Sequence, residues 1–298
     1  MAILLKSLGR WPQWFIVTVL LALGLRTATT APLKDLRASG QAQVNGTRLH
    51  YEVYGHGPSL VFLHAGLADG RMWDDQVNYF SGQHTVVRFD VRGYGQSDPP
   101  SAPYAPADDL DLLLRLLGIS RAAIIGLSMG GTEAIDFAAA HPETVSALII
   151  VAGSPGWQPY SGALVRRTSA ILAAGKAQGP AALIEGWFND PMLAVAQAQP
   201  KVAKQLRRFL SQNAAGILST AFMRPPNIPT PSLSDFKMPA LVMVGDHDDP
   251  EIVERSRTMS REIPGARLAV IPDAGHMVNL ERPREFNRAL ADFLRSLK

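Results

Sequence analysis

An α/β fold, with a mostly parallel central sheet flanked by helices and a helical lid insertion, is the class this sequence predicts. Three observations predict it. Short, continuous apolar runs alternate with segments of helical periodicity, the pattern of strands buried on both faces and joined by helical crossovers. The alternation lapses between about residues 154 and 235, where Ala- and Leu-rich helical segments are broken by Pro180, Pro191 and Pro200. Strand and helix then resume to the end of the chain.

The elements follow in order. Gln41 to Val44 and Arg48 to Tyr54 flank Asn45-Gly46, a two-residue hairpin signal. Ser59 to Leu63 is a short strand that ends in His64-Ala65-Gly66. Met72 to Phe80 reads as a helix and Thr85 to Phe89 as another strand, running into the turn-rich Asp90-Val91-Arg92-Gly93-Tyr94-Gly95-Gln96-Ser97. Asp108 to Leu117 places Leu110, Leu113, Leu114 and Leu117 on one helical face. Ala122 to Ile125 is a buried strand, Thr132 to Ala140 a helix, and Ser146 to Val151 a further strand. Within the insertion, Gly162 to Ala174 and Val202 to Leu210 are helical, and Pro225 to Pro231 is a proline-rich exit. Ala240 to Val244 and Leu268 to Ile271 complete the strands, and Pro283 to Leu297 forms the terminal helix.

The chain divides into residues 1–31 and a body of residues 32–298 whose lid spans about 154–235. In the first part, Lys6 and Arg10 precede an uncharged apolar run from Trp14 to Leu25 and then small and hydroxyl residues up to Ala31. That order is expected of a signal peptide directing export to a periplasmic or secreted location. The alternative is an uncleaved N-terminal anchor, which would associate the protein with a membrane. The chain has no cysteine, so disulfides and a lipid-modified cysteine are excluded. The formal charge is +3, but Lys6, Arg10 and Arg26 lie in the leader; 26 of the 29 basic residues remain against 26 acidic ones. A neutral body without a basic run lacks the electrostatic footprint of a nucleic-acid binder.

The stretch Gly126-Leu127-Ser128-Met129-Gly130 ends a strand and opens a helix. A serine on so sharp a turn is presented clear of the backbone, and the flanking glycines remove Cβ atoms from a crowded crossing. The helix start also directs free N–H groups at charge developing beside the serine. A nucleophilic serine needs a base, and the base needs an acid to hold its tautomer. Two later loops leave strand ends at the same sheet edge. Gly245-Asp246-His247-Asp248-Asp249 offers three carboxylates, and Asp273-Ala274-Gly275-His276-Met277 offers a histidine. The scattered His50, His56, His84 and His141, and His247 beside the acids, have no metal-ligand spacing, so no metal and no cofactor is expected.

With these motifs, over about residues 40–298, the sequence resembles the α/β-hydrolase family. The likeness is to its lid-bearing branch of serine esterases, enol-lactonases, carbon–carbon bond hydrolases and cofactor-free haloperoxidases. It rests on Leu63-His64-Ala65-Gly66, Asp90 to Ser97, Gly126 to Gly130, Gly245 to Asp248 and Gly275-His276. The resemblance implies Ser128 as nucleophile, His276 as base and Asp248 as acid, because the family places its acid three residues after the glycine ending that strand. It implies Met129 N–H as one oxyanion donor and Gly66 as the other. This chain reads His-Ala-Gly where the family more often has His-Gly, which leaves Ala65 or Leu67 as alternatives. His64 is expected to order the oxyanion loop, and in the loop from Asp90 an Asp–Arg pair and glycines are expected to fix a turn.

A serine in place of an aspartate at the elbow argues against haloalkane dehalogenases and epoxide hydrolases. The small-molecule substrate expected first is an ester or lactone, since an alkoxide leaves more easily than an amine. Amide or carbon–carbon bond hydrolysis, perhydrolysis, and a ligand-binding receptor keeping the fold are the alternatives. Trp157, Tyr160, Trp187, Phe188, Phe209 and Phe222 are the aromatic candidates for pocket walls. The lid's basic excess, from Arg166 and Arg167 to Arg224, reads as a solvated helix face.

Overall fold

The hairpin signal is met literally: Asn45 and Gly46 both adopt positive φ, 40° and 76°, and join β1 (Leu36–Val44) to β2 (Thr47–Tyr54) in an unbroken antiparallel register around the turn. The computed structural model describes residues 35–297 apart from 159 and 161. The predicted leader, residues 1–31, lies outside the described residues. Among the described residues no helix is long and apolar enough to cross a membrane.

The remaining strands are β3 (Ser59–Leu63), β4 (Thr85–Phe89), β5 (Ala122–Leu127), β6 (Val145–Val151), β7 (Ala240–Gly245) and β8 (Arg267–Ile271). They form one eight-stranded sheet in the order β1-β2-β4-β3-β5-β6-β7-β8. Only the β1–β2 and β2–β4 pairs are antiparallel; from β4 across to β8 every pairing is parallel. Parallel strands must be covered on both faces, and every residue of β5 and β7 is buried. The cover comes from α1 (Asp74–Phe80), α2 (Pro106–Leu116) and α3 (Met129–Ala140) early in the chain. Between β6 and β7 lies the helical insertion, with α4 (Gly162–Gln178), α5 (Pro180–Phe188), α6 (Ala194–Gln197), α7 (Pro200–Gln212) and α8 (Ala214–Ser219). The chain closes with α9 (Pro250–Glu262), α10 (Val278–Glu281) and α11 (Pro283–Arg295).

Several elements run longer than expected. The helix after the elbow begins at Met129, ahead of Thr132, because the chain turns helical immediately after Ser128. Proline opens α2, α5, α7, α9 and α11, where its missing N–H costs no bond.

The loop from Asp90 departs from expectation. Asp90 and Arg92 do not pair with each other. Asp90 accepts the N–H groups of Gly70 at 2.8 Å and Gln96 at 2.9 Å, tying its own loop to the turn before α1. Arg92 instead grips Asp109 of α2 through two bonds of 2.6 and 2.7 Å and lies over the Tyr104 ring. β4 ends at Phe89 and the chain turns from Arg92, so the two side chains no longer share a strand face and find partners in different elements.

Candidate active site

Because β5, β7 and β8 are parallel, the loops after them emerge at one edge of the sheet. Ser128 follows β5 directly, with φ 56° and ψ −115°, a conformation that L-residues with a Cβ adopt only under constraint. The constraint is visible on both sides. Ser128 N–H donates to Val151 O at 2.8 Å, and Ser128 O accepts the Thr132 N–H at 3.0 Å. A Cβ on Gly126 would collide with the Gly130 carbonyl, and one on Gly130 with the Leu63 carbonyl. The glycines are required by close backbone approach on both flanks of the turn.

The structure brings Ser128, His276 and Asp248 together. His276 Nε2 stands 2.9 Å from Ser128 Oγ, and His276 Nδ1 stands 2.9 Å from Asp248 Oδ2 and 3.2 Å from Oδ1. A carboxylate only accepts, so Nδ1 carries the proton and Nε2 is left as an acceptor for the serine hydroxyl. Asp248 is buried, and its Oδ1 also accepts the Asp249 N–H at 2.7 Å. The neighbouring carboxylates face elsewhere. Asp246 meets His247 on the surface, and Asp249 caps α9 through the Glu251 N–H and pairs with Arg167.

Burial alone would lower the pKa of His276. The charge of Asp248 and its hydrogen bond outweigh that, with smaller help from Glu281 and Asp190, and the imidazole is raised above its ordinary 6.5. His64 is differently held. Its Nε2 accepts the Val91 N–H at 3.0 Å while Nδ1 donates to Ala65 O at 2.9 Å, so it is a neutral tie between the loops after β3 and β4.

Met129 opens α3 and lines the cavity beside Ser128. Gly66 abuts it: a Cβ on Gly66 would fall 3.3 Å from Met129 Sδ. Of the three residues considered for the loop after β3, Ala65 is engaged, its N–H pointing at Met72 Sδ at 3.2 Å. Gly66 is further fixed by the Tyr94 hydroxyl, which donates to its carbonyl at 3.0 Å.

A cavity of about 270 Å³ adjoins Ser128 and His276. Its walls include Thr132 from α3, Leu164, Thr168 and Leu172 from α4, Trp187 from α5 and Ile252 from α9. Among the described residues, apart from His276, no ionisable side chain lines it except Tyr160, whose phenol burial pushes well up and keeps neutral. Of the aromatic candidates, Tyr160 and Trp187 reach this wall. Phe209 is fully buried, Phe222 is exposed, Phe188 lies beneath the Arg207 guanidinium, and Trp157 lines a different, smaller cavity. The aliphatic walls carried no sequence signal, since they look like any apolar helix face. Among the described residues no group of three or more His, Asp or Glu side chains is placed to hold a metal ion.

Residues 60–289 match the family described as the alpha/beta hydrolase family. The chain belongs to that family. The 3-oxoadipate enol-lactonase 2 of Acinetobacter baylyi is 28% identical over 254 residues, 81% of this chain and 91% of that protein. The enol-lactonase from Burkholderia xenovorans superposes with a TM-score of 0.76 at 29% identity, covering 86% of this chain and 100% of that one. A thermophilic esterase from Thermogutta terrifontis, solved with malate bound, gives 0.74 at 25% identity over 88% and 99% of the two chains. With such relatives this alpha/beta hydrolase is, at family level, an ester or lactone hydrolase.

Proposed function

We propose that this hydrolase cleaves an ester or lactone of a small, largely apolar substrate through an acyl-enzyme on Ser128. The observation that carries the reading is the unbroken hydrogen-bond path from Ser128 Oγ through His276 to Asp248, opening on an uncharged cavity. In this reading His276 Nε2 takes the serine proton as Oγ attacks the carbonyl carbon. Met129 N–H, at the positive end of α3, receives the developing oxyanion together with an N–H from Gly66 or Leu67; one such donor is worth about 3–4 kcal/mol. The imidazolium, steadied by Asp248, returns the proton to the leaving alkoxide, and the same base then activates water to free the acid.

Walls drawn from α4 and α5 support a lid role for the insertion, which covers the apolar part of the substrate. A wall without cations among the described residues favours an uncharged substrate, since a carboxylate entering it would lose hydration and gain no partner there. The leader, read as an export signal or membrane anchor, would set where the reaction takes place.

The test is fluorophosphonate labelling of residues 32–298 with mass mapping, alongside turnover of p-nitrophenyl esters of increasing acyl length. An adduct on Ser128 that is lost in His276→Ala supports the reading; a folded protein with neither adduct nor turnover refutes it. Half-esters of dicarboxylic acids should turn over at least about tenfold more slowly than neutral esters of equal length.

A further inference from the structure

Glu281 ends α10, and its carboxylate is buried at 3% exposure. Both of its oxygens are committed to the loop that carries His276. Oε2 accepts the Gly275 N–H and Oε1 accepts the Met277 N–H at 3.2 Å. These are the residues on either side of His276. One rigid fork thus holds the N–H groups of the residues before and after His276. The same loop is tied to the loop after β7 by the His247 N–H, which donates to Ala274 O at 2.8 Å, whereas the His276 N–H makes a long bond of 3.4 Å to Met192 O. Gly275 is pinned from the other side, since a Cβ there would fall 3.1 Å from Val195 Cβ of α6.

No Lys or Arg forms an ion pair with Glu281 among the described residues. The ionisable groups that face it are His276 and, from the loop after β7, Asp248. Burial pushes the Glu281 carboxyl above its ordinary range, against the pull of the two N–H donors and of His276. In return its charge is among the influences that raise His276. A purely structural fork would not need the charge, because buried charge without a cation is costly. Beside a base that turns cationic during the reaction, that charge has a use.

We propose that Glu281 is a positioning residue for the Ser128 reaction, clamping the Gly275 and Met277 N–H groups on either side of His276 and stabilising the imidazolium formed when Ser128 gives up its proton. The proposal rests on the reading of His276 as the base.

Glu281→Gln and Glu281→Asp, compared by kcat, KM and the acid limb of the pH–rate profile, test it on p-nitrophenyl acetate. Glu281→Gln removes the charge and one acceptor. Its kcat should fall about 10- to 100-fold, as expected for a base displaced by a fraction of an ångström, with KM within about twofold, and its acid limb should move to lower pH. Glu281→Asp keeps the charge but cannot span both N–H groups, so its acid limb should stay in place while kcat remains low. An unchanged kcat in Glu281→Gln overturns the proposal. So does a fall in kcat in which both variants leave the acid limb where it was, because a structural role alone would do that. His276→Ala, assayed alongside, separates the two readings. Turnover surviving there refutes the base assignment, whereas turnover lost there but intact in Glu281→Gln refutes the clamp alone.

Discussion

Asp136, two turns along α3 from the nucleophile, gives a stability prediction whose size follows from its surroundings. Its side chain is 8% exposed, Oδ1 has no hydrogen-bond partner among the described residues, and it lines a cavity of about 120 Å³ against Trp157 and the proline-rich exit of the insertion. Burial raises its carboxyl from 3.8 to about 6. Below pH 3.8 folded and unfolded chains both hold the proton, and the site costs nothing. Above pH 6 the unfolded chain ionises freely while the folded chain must bury a bare carboxylate. Stability therefore falls across that window. A shift of about two units is worth about 3 kcal/mol at pH 8 and under about 1 kcal/mol at pH 4. Asp136→Asn keeps the shape and removes the charge. Glu133, also buried, has its carboxyl raised by burial and in part by the Asp136 charge, so the substitution relieves Glu133 as well and adds to the gain at high pH. Urea denaturation at pH 4 and pH 8 should show the variant gaining about 2–3 kcal/mol over the parent at pH 8 relative to pH 4. A difference between the two pH values below about 0.5 kcal/mol would refute the account of an unpaired, desolvated carboxylate.

Other outcomes follow from the same geometry. Ser128→Ala should abolish ester turnover by on the order of 10⁶-fold while thermal melting is kept or improved, since a strained nucleophile loses its reactive atom and not its packing. On the proposed reading of His276 as the base, the kcat/KM profile should rise through an apparent pKa above 6.5, because its protonated form is favoured by Asp248. Gly126→Ala places a methyl against the Gly130 carbonyl and should cost about 3 kcal/mol or more, read as a lowered urea midpoint together with lost labelling of Ser128. Arg167→Ala strips the guanidinium that bridges Asp190 and Asp249 at 2.6 and 2.9 Å and leaves the fully buried Asp190 charge unpaired. It should cost about 3 kcal/mol, and Arg167→Ala combined with Asp190→Asn should recover part of the loss.

Much of this arrangement is legible in the chain because its signals are local. Asn45-Gly46 dictates a turn through backbone conformation alone, and Gly126 and Gly130 mark a crowded crossing. Parallel strands then deliver the loops holding Ser128, Asp248 and His276 to one edge, without any need to know their contacts. What escaped was decided at a distance. Arg92 finds its partner on α2 and not in its own loop, because Asp109 is brought beside it only by packing. Phe209 and Trp187 are equally aromatic in sequence, yet one fills the core and the other a cavity wall, a choice made by how α5 and α7 are rotated. Glu281 reads as an ordinary acid ahead of a terminal helix, and only the backward turn of α10 aims it at the residues flanking His276.

The position of β8 has a consequence for how the protein fails. Ser128 is delivered by a strand enclosed on both sides, whereas His276 is delivered by the outermost strand, which among the described residues is paired with β7 alone and leaves Leu268 and Val270 open to solvent. Ser128 and His276, 148 residues apart in sequence and hydrogen-bonded to each other, therefore sit in parts of the molecule with unequal resistance to opening. Fraying of that border separates His276 from Ser128 while the central strands remain intact. Under mild denaturant the enzyme should fall silent before it unfolds, and regain activity as soon as the border closes.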